Sequence, residues 1–551
     1  MRKFLDRKGF FGQKDIVTLS CLVVFGLLGF AIILYATTWG PIIFSDSYGY
    51  LSVARNISSG KGIGVFSPSG EFNPLTIHPP FYPMLLAFWG LSGLDLVAIT
   101  RWMHASFFGI FSVLIGWGFY RLTNSRRFAL AGSLVILASP QLINLFSLAM
   151  TEPTFLLLSM LAALLLLLSV AKDHLGYLII AALCVGLSVI TRYVGAAWII
   201  SGFIFISIFW NGSRQRKFQA LTGYAIIGVL PTGLWLGWNN FLAGAPAPHA
   251  VQSGESLAQR LIEARLAFVN TLWSWLPFSA SLPEIHYRLK LLVLAVLAGI
   301  SIGLVVLLVN RQDRNAATGD WRKWQSHPIV CAASLLWLSW LAYLALIAAG
   351  YALSDPTPDL NERTLIMALV IGYGLVLITC ATFLQVVSRR SIWQWLPVIL
   401  AVVLIMDALP HSVNLVNSYH REGAGYLSFR WEHSSTLAAA KGLTPNIPII
   451  SNEPSAIAFW LGRPVYQLPK LFDKVNPDPV EARFGDNQED DIQQIFHDQG
   501  AALILFDSLR WQMEPIYFEK TPERLAALTR GLTLFGNYND GSIYFYPVPA
   551  P

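Results

Sequence analysis

Charge is scarce in this sequence. Aspartate, glutamate, lysine and arginine make up 13% of its 551 residues, where soluble domains carry about 25%. A soluble enzyme is therefore excluded for most of the chain. Cysteine is scarcer still: Cys21, Cys184, Cys331 and Cys380 all fall inside apolar runs. They read as small packed hydrophobes, so neither disulfides nor a thiolate metal site is indicated. No internal repeat or low-complexity tract stands out. The polar C-terminal part lacks a phosphate-binding glycine loop and a nucleophile elbow. The net charge of +6 comes with no nucleic-acid motif, which leaves it as a statement about membrane topology.

Apolar residues are what the chain has in excess. They form 54% of it, with a mean hydropathy of +0.53. Uncharged runs of about 20 residues recur, which is the length that crosses a bilayer core. The predicted fold is a polytopic α-helical membrane protein. About eleven spans can be drawn, at roughly 16–36, 101–120, 128–147, 153–171, 176–191, 193–210, 219–239, 289–309, 328–350, 364–386 and 392–409. The basic N-terminus, Met1 to Asp15, precedes a run too long for a signal-peptide core, so the first run reads as a retained helix.

With the N-terminus cytoplasmic, every inside connection is basic. Arg126 and Arg127, Lys172, Arg214, Arg216 and Lys217, and Arg389 and Arg390 all fall in such connections. That is the positive-inside pattern, and an odd span number puts the C-terminus outside. The outside loops are the long ones. The first, about 37–100, contains a short apolar piece, Phe81 to Leu91, that should lie along the interface. Another, about 240–288, runs from Gly244-Ala245-Pro246-Ala247-Pro248-His249 through an amphipathic stretch to Trp273-Ser274-Trp275, with aromatics at headgroup depth.

From about Ser412 the composition turns mixed and polar. Short apolar runs, Ile447 to Ile450 and Ala501 to Phe506, alternate with helical patterns at Asp490 to His497 and Pro522 to Leu528. This predicts a small extracytoplasmic α/β domain over 412–551, after a transmembrane domain over 1–411. Leu532 to Phe535 should pair with Ile543 to Phe545 across the turn residues Asn539-Asp540-Gly541.

Ionisable groups at span ends on the loop-rich face are functional candidates. The first loop supplies Asp46, in Asp46-Ser47-Tyr48-Gly49-Tyr50, and His78, in His78-Pro79-Pro80-Phe81-Tyr82-Pro83. Glu152 sits in the turn before the fourth span, Arg192 and Tyr193 between the fifth and sixth, and Arg363 just before the tenth. Carboxylates can act as a base or hold a cation, and guanidinium forks suit phosphate oxygens. Asp46 and Glu152 are the candidate metal ligands.

Plainer readings compete. Asp46 suits a solvated loop acid or a helix cap, and Glu152 a first-turn acid favoured by the helix dipole. Arg192 suits a snorkelling arginine. Arg363 suits a surface ion pair with Asp355, Asp359 or Glu362. Tyr48, Tyr50 and Tyr193 suit belt aromatics. His78 suits a loop-fixing hydrogen bonder, since no second ligand stands at zinc spacing.

These blocks, in this order, resemble the GT-C superfamily of integral-membrane glycosyltransferases. The resemblance is to its family-39-like branch, which includes protein O-mannosyltransferases and the lipid A aminoarabinose transferase. Asp46 to Asn56, His78 to Pro83, Thr151-Glu152-Pro153, Leu187 to Arg192 and Glu362-Arg363 carry it. Many relatives have a second acid after the loop aspartate, where this chain has Ser47, and a lysine before Pro-Pro, where it has His78. The resemblance implies a polyprenyl-phosphate-linked sugar donor and an acceptor hydroxyl on a lipid, glycan or protein. Asp46 would be the base, and transfer would occur with inversion on the extracytoplasmic face of a bacterial inner membrane. Arg192, Arg363 and His78 would bind the lipid phosphate and sugar with Tyr48 and Tyr193. Glu152 would orient the acceptor or hold a divalent cation. Two alternatives stay open: a lipid or solute transporter, and a ligase moving a whole oligosaccharide.

Overall fold

A computed structural model describes residues 13–243, 257–276, 285–314, 327–353, 360–387, 391–468, 500–517, 521–529 and 532–545. The predictions at Gly244 to His249 and at Asp490 to His497, together with Asp355, Asp359, Arg389 and Arg390, lie outside the described residues. The chain divides into two compact units. Unit 1 is Met1–Thr38 with Leu75–Arg421, and unit 2 is Trp39–Pro74 with Glu422–Pro551.

In chain order the helices are α1 (Gln13–Ala36), α2 (Ser45–Ser58), α3 (Phe81–Gly90), α4 (Leu96–Thr123), α5 (Arg126–Leu137), α6 (Pro140–Ser147), α7 (Glu152–Lys172), α8 (Leu175–Val189), α9 (Ala196–Phe209) and α10 (Arg214–Ala243). They continue with α11 (Leu257–Ser274), α12 (Tyr287–Arg314), α13 (Pro328–Leu353), α14 (Glu362–Val386), α15 (Leu396–Glu422), α16 (Phe429–Glu432), α17 (Ser435–Lys441), α18 (Pro454–Leu461), α19 (Ser508–Tyr517) and α20 (Thr521–Leu528).

Among the described residues, eight helices are long and apolar enough to cross a bilayer: α1, α4, α7, α10, α12, α13, α14 and α15. The chain is a multi-pass membrane protein. The expected count of about eleven is not reached by length. The predicted third span is two helices, α5 and α6, bent by 58°. The break falls at Ser139-Pro140, where Ser139 caps α6 and Pro140 cannot continue α5. Counting that pair as one span gives nine. The predicted fifth and sixth spans are α8, 15 residues long, and α9, which extends a short 3₁₀ turn at Tyr193–Gly195. Both are apolar but shorter than a full crossing. The interfacial piece forms α3, 10 residues long, as expected.

In unit 1, small residues let helices approach. A Cβ on Gly109 of α4 would lie 2.5 Å from the Gly26 carbonyl oxygen of α1, so only glycine permits that crossing. α7 starts at Glu152-Pro153, where proline needs no N–H partner and the carboxylate faces the positive end of the helix dipole. The chain leaves it at Asp173 through the left-handed region, φ 50°.

Unit 2 contains a five-stranded mixed sheet. Its strands are β3 (Ile449–Ser451), β4 (Tyr466–Gln467), β5 (Ala502–Phe506), β6 (Thr533–Tyr538) and β7 (Gly541–Phe545), after a separate hairpin of β1 (Gly64–Phe66) and β2 (Phe72–Pro74). The order is β4-β3-β5-β7-β6, with β3 parallel to both β4 and β5. β6 and β7 form the expected antiparallel hairpin, turning after Tyr538 and before Gly541. β5 is buried on both faces, as its uninterrupted apolar sequence requires. The sequence puts a boundary at 411/412 and leaves 37–100 with the helices, whereas the structure groups Trp39–Pro74 with the C-terminal segment. The backbone explains this. Tyr426 N–H donates to the Ile43 carbonyl at 2.9 Å, and Tyr48 of α2 packs on the sheet core around Ile457 and Phe506.

Candidate active site

Three helix ends of unit 1 supply one charge cluster. Glu152, at the start of α7, has a side chain only 1% exposed. Arg192 donates through Nη1 to Glu152 Oε1, and Arg363 donates through Nε to the same oxygen at 2.6 Å. Thr151 completes the arrangement. Its hydroxyl accepts from Arg192 Nη1 and donates to Glu152 Oε2, both at 3.3 Å. A buried carboxylate needs such pairing, because desolvation outweighs a partial set of contacts.

Local sequence explains each position. α8 stops at Val189, and the Arg192 N–H donates back to the Ser188 carbonyl at 2.9 Å. Gly195 then packs directly on that helix end. A Cβ there would lie 2.8 Å from the Ser188 carbonyl carbon and oxygen. Arg363 rides the first turn of α14, which Asn361 caps by accepting from Thr364 N at 3.0 Å. The buried Tyr343 hydroxyl donates to the Thr364 carbonyl at 2.6 Å and holds that turn.

The loop that carries His78 is tied near the Arg192 turn at one end and to α10 at the other. The Phe81 N–H donates to the Ile190 carbonyl at 3.0 Å. Asn239 Nδ2 donates to the Thr76 carbonyl at 3.0 Å. His78 is exposed between these two anchors. Tyr193 accepts a hydrogen bond from Trp235 Nε1 at 3.1 Å. Sequence reading missed Thr151, Trp235, Asn239 and Tyr343 as supports. Asn239 and Tyr343 are fully or almost fully buried, and the available signal was polar side chains inside otherwise apolar spans.

Of the plainer readings, Arg192 as a mere snorkelling arginine does not describe a guanidinium bonded to a buried glutamate. Arg363 forms an ion pair with Glu152. Among Glu152, Arg192 and Arg363 positive charge exceeds negative by one, which suits an anion.

Asp46 and Tyr48 belong to unit 2. Asp46 is the second residue of α2 and exposed, and Tyr48 is half-buried against the unit 2 core. The chemistry of the candidate donors disfavours a metal ion. Two guanidinium groups already sit on Glu152 Oε1, so a cation there would face like charges. Among the described residues, no three His, Cys, Asp or Glu side chains gather as a metal-binding group.

Residues 78–235 match the family model described as dolichyl-phosphate-mannose-protein mannosyltransferase. The resemblance read from the sequence holds over that segment. It contains His78, Glu152, Arg192 and Tyr193, while Asp46 and Arg363 lie outside it. Among solved structures, the chain is similar to ArnT from Cupriavidus metallidurans bound to undecaprenyl phosphate, at 13% identity and a TM-score of 0.49, over 97% of this chain and 99% of that one. The apo state of the same protein aligns at 13% identity and a TM-score of 0.48 over the same shares. No curated protein matches in sequence.

Proposed function

We propose that this chain is a membrane glycosyltransferase that moves a single sugar from a polyprenyl-phosphate donor to an acceptor hydroxyl, with inversion, on the extracytoplasmic face. The observation that carries this reading is the buried Glu152 holding Arg192 and Arg363 on one carboxylate oxygen. The arrangement lies largely in a segment matching a family named for a polyprenyl-phosphate sugar donor. It has the chemistry of a phosphate clamp. Both hydrogen bonds of Arg192 leave through Nη1, so among the described residues Nε and Nη2 have no protein acceptor.

In this reading Asp46 accepts the proton of the acceptor hydroxyl. The oxygen attacks the anomeric carbon while the bond from that carbon to the phosphate oxygen breaks, and polyprenyl phosphate leaves with the electron pair. Arg192 and Arg363 stabilise the growing phosphate charge, which is where preorganised donors contribute most. Glu152 acts as a positioning residue that fixes both guanidinium groups. His78 and Tyr193 are proposed to contact the donor head. The apolar cavity lined by Met160, Ala163 and Leu167 of α7 and by Val370, Gly374 and Leu377 of α14 lies along the two helices that begin at Glu152 and Glu362, and is proposed to take prenyl chain.

Incubating purified protein with radiolabelled polyprenyl-phosphate sugars tests the reading. Release of free polyprenyl phosphate, lost in Asp46→Asn, is the expected result. Counterflow uptake into proteoliposomes with no sugar transfer would replace it with a transporter, and an oligosaccharide product by mass spectrometry would replace it with a ligase.

A further inference from the structure

Unit 2 contains a crevice that the charge cluster of unit 1 does not use. The sheet order creates it. From β3 the chain leaves through α18 to β4 on one side, and from β5 it leaves through α19 and α20 toward the hairpin on the other. β3 and β5 are adjacent and parallel. Where connections from neighbouring parallel strands diverge, a gap opens beyond their carboxyl ends, and open α/β sheets bind ligands there.

The gap, of about 250 Å³, is lined by Glu453 just after β3, by Phe506 and Ser508 at the end of β5, and by Tyr426, Arg430 and Trp431 from the segment before α17. Its walls are built. Asn452 ties the two strand ends together, accepting from Phe506 N at 2.9 Å and donating to Ser508 Oγ at 3.0 Å. Ser508 in turn donates to Glu453 Oε1 at 2.7 Å. That leaves Glu453 Oε2 without a protein donor among the described residues. Trp431 stands edge-on to Phe506, with centroids 5.0 Å apart. Tyr426 is also in the wall, and its hydroxyl is pushed up to about 12 by burial first, then by the charges of Glu453 and Asp46. It remains a hydrogen-bond donor at neutral pH.

Size and charge select the ligand. The volume falls below the roughly 300–1,000 Å³ of drug-sized sites and accommodates one small ring. Glu453 and Asp540 line it against a single guanidinium, Arg430, which disfavours phosphates and carboxylates. Aromatic faces beside a carboxylate acceptor suit a ring with one apolar face and hydroxyls at its edge.

We propose that this crevice binds a neutral sugar ring. Within the reaction proposed above, and resting on it, that ring is the terminal residue of a glycan acceptor. Phe44 and Ser45, which precede Asp46 at the start of α2, also line the crevice, so an acceptor seated there lies beside the proposed base.

Saturation-transfer NMR on the full chain in detergent tests this, with methyl glucoside, methyl mannoside and methyl arabinoside as probes and glucose 6-phosphate as the charged comparison. Expected is saturable signal from at least one methyl glycoside and none from the phosphate. Dissociation constants should rise about tenfold in Glu453→Gln, the loss of roughly one charge-assisted hydrogen bond, and by a similar factor in Trp431→Ala, the loss of one packed aromatic face. If Trp431→Ala fails to fold, Glu453→Gln and Ser508→Ala, which remove no packed ring, decide the matter. No saturable signal from any neutral glycoside, equal binding in these variants, or preference for the phosphate would overturn the proposal. Donor breakdown to polyprenyl phosphate without acceptor is read separately. Intact donor breakdown without glycoside binding rejects the crevice alone, and glycoside binding without donor breakdown rejects the reaction alone while supporting the crevice.

Discussion

Arg363 Nε donates to Glu152 Oε1 at 2.6 Å across 211 positions of sequence. The carboxylate it reaches is 1% exposed, and Arg192 shares the same oxygen. Removing that carboxylate takes away the counter-charge that two guanidinium groups share. Glu152→Ala is expected to cost about 3–5 kcal/mol of stability, the usual penalty for breaking a buried ion pair. Thermal unfolding in detergent measures it. Glu152→Gln keeps the shape and should unfold closer to wild type while still losing transfer, because a neutral amide cannot hold both arginines in place.

The arginines are proposed to act on charge that develops as the phosphate leaves. Arg192→Ala and Arg363→Ala should each lower kcat by about 10²–10³, the range for removing one preorganised donor. Lysine at either position should recover little, since a point charge cannot reproduce the fork geometry. Steady-state kinetics with a polyprenyl-phosphate sugar separates this kcat effect from a change in KM. Equal kcat in Arg192→Lys and wild type would remove the phosphate clamp.

Asp46→Asn removes the proposed base and leaves donor contacts in place. Transfer should fall by about 10²–10⁴, while binding of a labelled donor stays at wild-type affinity. Loss of donor binding in this variant would assign Asp46 to the donor instead of to the acceptor.

Gly195 lies against the end of α8 with no room for a side chain, its nearest atoms being backbone at 2.8 Å. Gly195→Ala must push the turn that carries Arg192. A destabilisation of about 1–3 kcal/mol, typical of overpacking, should accompany a drop in transfer. Thermal unfolding and kinetics on one preparation report both.

Asp540 gives unit 2 an acid-sensitive joint. Burial raises its carboxyl, but hydrogen bonds from Ser434, Thr436 and Ser435 outweigh that and hold it below its ordinary 3.8. Thr436 donates to it from both its N–H, at 3.0 Å, and its hydroxyl, at 2.7 Å. The folded value lies below the unfolded one, so the stabilisation is complete above about pH 4 and is lost as pH falls through the folded value. Acid unfolding followed by near-ultraviolet circular dichroism should show a limb below pH 4 that Asp540→Asn flattens.

The apolar runs by themselves determined the membrane class, because a stretch of about 20 uncharged residues has few other stable environments. They also determined the hairpin around Asn539-Asp540, since alternating apolar residues flanking turn-formers leave little choice. Glu152, Arg192 and Arg363 were legible as candidates because ions at span ends are costly unless used or paired. Only the tertiary structure decided that Arg192 and Arg363 share one oxygen of Glu152, since that depends on how α7, α8 and α14 pack. The break at Ser139-Pro140 and the shortness of α8 and α9 were hidden for the same kind of reason: hydropathy reports burial in lipid or protein alike and is silent on bends. The grouping of Trp39–Pro74 with the C-terminal segment rests on a backbone pairing of Ile43 with Gly425 and Tyr426. Such pairing is made by main-chain atoms that every residue carries, so no side-chain pattern announces it.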